Sequence, residues 1–181
     1  MQWHRGNLFL IGLMGAGKTT YGRRLATQLG KPFMDCDAEL ERRLGCTVSD
    51  IFEKEGEASF RDREQVLLAE LAQREGIVLS TGGGAVLREA NREQLRANGT
   101  VVYLHATPEV LAKRLRRVMD RPLLRDAEDP AAQLAQLYAI RDPLYRQTAY
   151  FVIEATSDVV AKLAEIGDVS NQESGVRDQK S

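Results

Sequence analysis

The sequence predicts an α/β protein, a three-layer α/β/α sandwich on a five-stranded parallel sheet, and three observations carry that expectation. Short apolar or β-branched runs alternate with helical patterns along the chain. Glycines and prolines mark the junctions between them. The first strand-to-helix junction, Gly12-Leu13-Met14-Gly15-Ala16-Gly17-Lys18-Thr19, fits G-x-x-x-x-G-K-[ST].

Taken in order, residues 8–11 are a short apolar run that reads as a buried strand. Residues 20–29 place Tyr21, Leu25, Ala26 and Leu29 at helical spacing before Gly30 stops the helix. A second strand at 32–36 ends in acid. A short helix at 37–44 follows, then a helical turn at 49–55 with Ile51 and Phe52 as its apolar contacts and Gly56 as its stop. A long helix is expected at 58–75, its core face marked by Phe60, Val66, Leu67, Leu68 and Leu71. The third strand, 77–80, runs straight into Thr81-Gly82-Gly83-Gly84. A helix near 88–96 leads to a fourth strand at 101–104, and Pro108 opens the next helix at its first turn. Residues 116–130 are charged and weakly periodic. A helix at 131–141, a fifth strand at 150–153 and a helix at 159–166 complete the pattern.

The 181 residues, with a net charge of −1, predict one domain over 1–169 and give no overall field that would favour nucleic acid or an anionic membrane. The polar, aperiodic stretch 170–181 reads as a disordered tail. Two cysteines without a C-x-x-C, and no long apolar run, fit a soluble protein of a reducing cytoplasm. The lack of an obvious exposed apolar stripe leans toward a monomer.

A strand turning through glycines into a helix N-terminus presents backbone N–H groups and a positive dipole end to an anion. Gly12, Gly15, Ala16, Gly17 and Thr20 are therefore expected around a nucleotide's phosphates, Lys18 at the β/γ-phosphates and Thr19 at Mg²⁺. There is no N-K-x-D for guanine, and the third strand ends in Ser-Thr-Gly where an acid would usually support the metal. The nearest candidate acid is Asp35-Cys36-Asp37. On an extended stretch Asp35 and Asp37 point the same way, one toward a metal-bound water and one toward an alcohol substrate. Asp37 would equally serve as the N-cap of the helix that follows.

Three successive glycines, Gly82 to Gly84, let the backbone approach a ligand with no Cβ in the way; a flexible turn is the plainer alternative. Arg61 and Arg141, taken singly, read as surface charges as readily as ligands. The basic run 113–125 reads either as a solvated face or as a mobile lid bringing an arginine to the transferring phosphoryl.

Together, Gly12 to Thr19, Asp35-x-Asp37, Phe60-Arg61, Gly82-Gly83-Gly84, Arg121-Pro122-Leu123-Leu124 and Arg141-x-Pro143-Leu144-Tyr145 resemble, in order and spacing, the shikimate kinases, over about residues 6–165. The resemblance implies a P-loop fold of the nucleoside monophosphate kinase type, with a substrate-binding insertion near 35–64 and a lid near 114–130. It implies transfer of the γ-phosphoryl of ATP to the 3-hydroxyl of shikimate, with Mg²⁺, in chorismate and aromatic amino acid biosynthesis. Arg61 and Arg141 would then fork onto the substrate carboxylate, with Glu64 orienting Arg61. Asp37 would take the attacking hydroxyl, and the Gly82–Gly84 backbone would complete the ring's hydrogen bonds. Asp35 would hold the metal through water, Arg121 would neutralise the transferring phosphoryl, and Arg114, Arg116 or Arg117 would stack on adenine. Gluconate or nucleotide kinases, and a silent nucleotide-binding module, are the rival readings. The intact set of Lys18, Thr19, Asp37 and Arg121 disfavours the last.

Overall fold

The computed structural model describes residues 6–115, 129–156 and 158–166. Five strands, β1 (Leu8–Ile11), β2 (Phe33–Asp35), β3 (Val78–Ser80), β4 (Thr100–His105) and β5 (Phe151–Glu154), form one sheet in the order β2-β3-β1-β4-β5, every pair parallel. β1 lies at the centre, Leu8 opposite both Val78 and Thr100. All four of its residues are fully buried, as a strand covered on both faces must be. The helices are α1 (Lys18–Leu29), α2 (Cys36–Leu44), α3 (Val48–Ala72), α4 (Glu89–Asn98), α5 (Pro108–Leu115), α6 (Pro130–Thr148) and α7 (159–166). α1 packs over β1, β2 and β3, close enough that a Cβ on Gly22 would strike Phe33 and Leu10. α4 and α6 pack against β4.

The chain goes from β1 to one edge of the sheet and returns through β3, then crosses β1 to reach β4. That reversal opens a crevice at the carboxyl ends of the strands, where α/β proteins bind ligands. At the opposite end the fully buried Asn7 ties three connections together. Its amide donates to the carbonyls of Arg74 (2.6 Å) and Asn98 (3.0 Å), and its carbonyl accepts from the Ile77 amide (3.0 Å).

The division at Gly56 is as expected: φ 83° and ψ 171° there break the helical path between the two pieces of α3. Several expectations are corrected. α3 starts at Val48 because Thr47 and Asp50 form a reciprocal capping box, and it ends at Ala72, short of Gly76. Val66 is not a core residue: it is 72% exposed, since Val66, Leu67 and Leu68 are consecutive and cannot all lie on one helical face. α6 does not end near Arg141 but runs on to Thr148 through Pro143. Pro143 is exposed, and so is Ala139, the residue whose carbonyl loses its amide partner.

Candidate active site

The loop from Gly12 to Gly17 carries β1 into α1, with Gly12, Gly15 and Gly17 at φ 147°, 84° and 96°. These are values that side-chain-bearing residues rarely adopt. At Gly12 there is also no room, because a Cβ would lie 2.6 Å from the Leu104 carbonyl oxygen of the neighbouring strand. Lys18 is buried and folds back over the loop, its ammonium donating to the carbonyls of Gly12 (2.7 Å) and Leu13 (3.0 Å). The buried Ala16 closes a turn onto Leu13 through its amide (3.2 Å). Thr19 and Thr20 stand exposed at the cleft wall.

Asp35 ends β2 and caps α2, one oxygen accepting from the Ala38 amide (3.0 Å) and the other from the Thr19 hydroxyl (2.7 Å). The Ser80 hydroxyl is 3.5 Å from that of Thr19. A threonine hydroxyl, a carboxylate and a serine hydroxyl at the start of α1 are hard oxygen donors of the kind Mg²⁺ takes, few enough to leave it most of its waters. The site fits the ion. The cap of α2 is therefore Asp35, and Asp37 lies in the helix's first turn. Because the strand stops at Asp35, its alternation does not reach Asp37; the helical turn is what brings Asp37 to the cleft.

The cleft encloses about 800 Å³ and runs from Arg114 and Leu115 past Lys18, Thr19 and Asp35 to Asp37 and the glycine run. It continues into a smaller recess of about 60 Å³ walled by Phe52, Phe60, Arg61, Glu64, Gly84 and Arg141, with Met14, Asp37, Val48, Gly82 and Gly83 common to both. Arg114, at the end of α5, donates to the carbonyls of Gly15 (3.2 Å), Ala16 (3.3 Å) and Ala155 (2.6 Å), so it braces the phosphate loop from the side.

The recess is built on the three glycines after β3, and each one faces a charged side chain. A Cβ on Gly82 would lie 2.7 Å from Glu64 Oε2 and 3.1 Å from Asp37 Oδ1, and one on Gly83 would lie 3.4 Å from Arg141 Nη1. One on Gly84 would overlap the Arg61 guanidinium outright. The backbone angle of Gly84 is ordinary (φ −93°), so its glycine is required for space. The run thus lets charged side chains approach the backbone closely.

Arg61 and Arg141 are 7% and 3% exposed, which rules out the surface-charge reading for both. Arg61 pairs with Glu64 (2.8 Å) and Glu57 (3.2 Å). Burial pushes the Glu64 carboxyl above its ordinary range, against the pull of Arg61 and Arg141, and its second oxygen is buried without a hydrogen-bond partner among the described residues. Among the described residues no carboxylate lies within ion-pair distance of Arg141. A recess holding two buried guanidiniums, one of them lacking such an acid, is electrostatically suited to an anionic group.

The structure therefore brings together Gly12, Gly15, Ala16, Gly17, Lys18, Thr19, Thr20, Asp35, Asp37, Arg61, Gly82, Gly83, Gly84, Arg114 and Arg141. Arg121, Arg116 and Arg117, most of the expected 114–130 lid, and the tail lie outside the described residues. Sequence reasoning missed the apolar wall of Met14, Val48, Phe52 and Phe60, which is scattered along the chain. Tyr145, named in the Arg141-x-Pro143-Leu144-Tyr145 motif but given no role there, donates its hydroxyl to the Gly83 carbonyl. The spacing of Tyr145 four residues from Arg141, on one helical face, was the available signal.

The family model described as "Shikimate kinase" matches residues 14–167. The shikimate kinase of Cupriavidus pinatubonensis is 56% identical over 164 residues, which is 91% of this chain and 85% of that protein. The shikimate kinase of Pseudomonas syringae pv. tomato is 53% identical over 168 residues, 88% of this chain and 97% of that one. Among solved structures, the shikimate kinase from Acinetobacter baumannii in complex with shikimate superposes with a TM-score of 0.83 at 50% identity, covering 88% of each chain. With a family model matching residues 14–167 and relatives more than 50% identical over most of the chain, the chain belongs to the shikimate kinase family.

Proposed function

We propose that the chain is an ATP-dependent kinase that transfers the γ-phosphoryl to the 3-hydroxyl of shikimate, giving ADP and shikimate 3-phosphate. The observation that carries the reading is the convergence of Asp37, Arg61 and Arg141, from three separate segments, on the three glycines facing the phosphate loop. Shikimate is a ring acid with hydroxyls, and the recess offers two arginines for its carboxylate and one acid for a hydroxyl. Each charge-assisted contact of this kind contributes roughly 1.5–3 kcal/mol.

The phosphate loop amides and Lys18 hold the β/γ-phosphates, and Lys18 exchanges its carbonyl partners for phosphate oxygens. Thr19, with Asp35 behind it, holds Mg²⁺, which when bound neutralises phosphate charge. Asp37 accepts the proton of the attacking hydroxyl as the new O–P bond forms and the bond to the β–γ bridging oxygen breaks. Arg61 and Arg141 hold the carboxylate, and the Gly82–Gly84 backbone binds the ring. Positioning and charge neutralisation supply most of the acceleration in such transfers. Arg121, in the basic segment that forms a lid over residues 114–130, neutralises the transferring phosphoryl, and Arg114 lies against the adenine. The remaining parts of this reading are a single domain over 1–169 with its insertion at 35–64, a tail at 170–181, a monomeric state and a cytoplasmic location. No helix among the described residues is long and apolar enough to cross a membrane.

The test is ADP release with Mg·ATP and, separately, shikimate, gluconate or AMP. Turnover with shikimate alone is expected. Turnover with another acceptor, or with none despite ATP binding, overturns the assignment.

A further inference from the structure

His105 ends β4 as a buried ring that no step of the reaction uses. It stands opposite Glu154 at the last rung between β4 and β5. Its Nδ1 lies 2.7 and 2.9 Å from the two Glu154 carboxylate oxygens, and its Nε2 lies 2.8 Å from the Tyr138 hydroxyl on α6. A ring nitrogen facing two carboxylate oxygens carries its proton, so Nδ1 donates, and in the neutral ring Nε2 accepts from the phenol. One imidazole thus joins the ends of two strands to a helix with both nitrogens satisfied. A leucine would meet the demands of a buried strand position without either partner, so burial alone does not call for this ring.

The strand ends so joined are the ones that touch the phosphate loop. Leu104, one residue before His105, is the residue whose carbonyl crowds Gly12. Past the last rung, the Ala155 amide donates to the His105 carbonyl (2.8 Å), and the Ala155 carbonyl accepts from Arg114 (2.6 Å). Arg114 also donates to the carbonyls of Gly15 (3.2 Å) and Ala16 (3.3 Å). In a trans peptide the N–H points opposite to the C=O, so a guanidinium on the Ala16 carbonyl sets where the Gly17 amide is aimed. Aimed amides at a helix N-terminus are what grip a phosphate.

We propose that His105 is a positioning residue of the nucleotide site: clamped by Glu154 and Tyr138, it fixes the turn at Ala155 that holds Arg114 against the phosphate loop. The inference rests on the reading of that loop as the ATP site.

Glu154→Ala, Glu154→Gln, His105→Leu, Arg114→Ala and the double variant of Glu154→Ala with Arg114→Ala test it, with Mg·ATP and shikimate varied in turn and thermal unfolding followed alongside. The Glu154 side chain is 60% exposed, so its loss does not threaten the fold. Glu154→Ala is expected to raise the ATP KM about fivefold, the size of one net hydrogen bond. Its kcat and shikimate KM stay within about twofold, a split that general loosening of the fold would not produce. Glu154→Gln keeps an acceptor for the Nδ1 proton and is expected to stay within about twofold of wild type throughout. His105→Leu is expected to raise the ATP KM at least as much as Glu154→Ala does. Beside Arg114→Ala, the Glu154→Ala change should add less than about twofold, because the link is already cut. An ATP KM within about twofold of wild type for Glu154→Ala overturns the proposal. So does a full effect that persists beside Arg114→Ala, or an equal rise in the shikimate KM with a lowered Tm. A wild-type protein that neither binds nor turns over Mg·ATP would overturn the reading of the loop itself, and the proposal with it.

Discussion

At the scale of single residues, the glycine run shows how a site is built by what is left out. Gly82, Gly83 and Gly84 each give their Cβ space to another side chain, and the three spaces are not equally tight. At Gly83 the nearest neighbours, at 3.4 and 3.5 Å, are at ordinary contact distance, so alanine there needs little adjustment. At Gly84 an added methyl would collide with a guanidinium that is 7% exposed and tied to Glu64 and Glu57. Arg61 would have to leave that position. Gly84→Ala is therefore expected to raise the shikimate KM by more than about tenfold, the size of one lost charge-assisted contact, and Gly83→Ala by about threefold or less. Neither should change the ATP KM by more than about twofold: Gly84 faces the recess, and a Cβ on Gly83 would meet the phosphate loop at Met14 N and Gly12 O only at ordinary contact distance, 3.5 and 3.7 Å. Steady-state kinetics of the two variants checks the order; a Gly84→Ala enzyme with the wild-type shikimate KM would mean that Arg61 is not where the acceptor binds.

At the scale of elements, the end of the sheet away from the cleft is fastened by Asn7. Removing its side chain strands the Ile77 amide and the Asn98 carbonyl at a buried site where water does not readily replace it, and takes a donor from the partly buried Arg74 carbonyl. Asn7→Ala is expected to destabilise the fold by about 3 kcal/mol and to lower Tm by roughly 6–12 °C, with kcat at 25 °C near wild type. Calorimetry and a rate assay on the same sample check both halves. The order of the elements was legible in the sequence because an apolar run, a glycine turn and a helical pattern leave separate local marks, as they do from Leu8 to Leu29. Their ends were less legible. Pro143 reads locally as a stop, yet α6 continues because that side of the helix faces water. The Asp35-x-Asp37 pair was recognisable as a motif, but the period-two argument for it failed once β2 stopped at Asp35 and Asp37 passed into α2. Burial was the least legible of all: nothing local distinguishes Arg61 or Arg141 from a surface arginine, since what buries them is the glycine run and segments distant in the sequence.

At the scale of the whole molecule, those distant segments are joined by the ligands they hold. The phosphate loop, Asp37 on α2, Arg61 on α3, the turn after β3 and Arg141 on α6 wall one continuous cleft only when the sheet, α3 and α6 are all in place. An acceptor that binds this arrangement and not the unfolded chain must stabilise the entire fold, by about 2.7 kcal/mol at a concentration 100 times its Kd. For a chain of this size that corresponds to a rise in Tm of roughly 5–11 °C. Arg61→Lys and Arg141→Lys each replace a planar fork with a point charge and are expected to weaken shikimate about 10- to 100-fold. At the same shikimate concentration the more strongly affected variant should then keep a rise of only about 1–2 °C, while the rise with Mg·ATP stays as in the wild type, because Lys18 and the phosphate loop are intact. Thermal unfolding of the three proteins with each ligand separates the two halves of the cleft. An undiminished shikimate shift in both variants would place the carboxylate elsewhere, whereas loss of the Mg·ATP shift as well would mean that the recess and the phosphate loop are coupled through the Gly82–Gly83 wall they share.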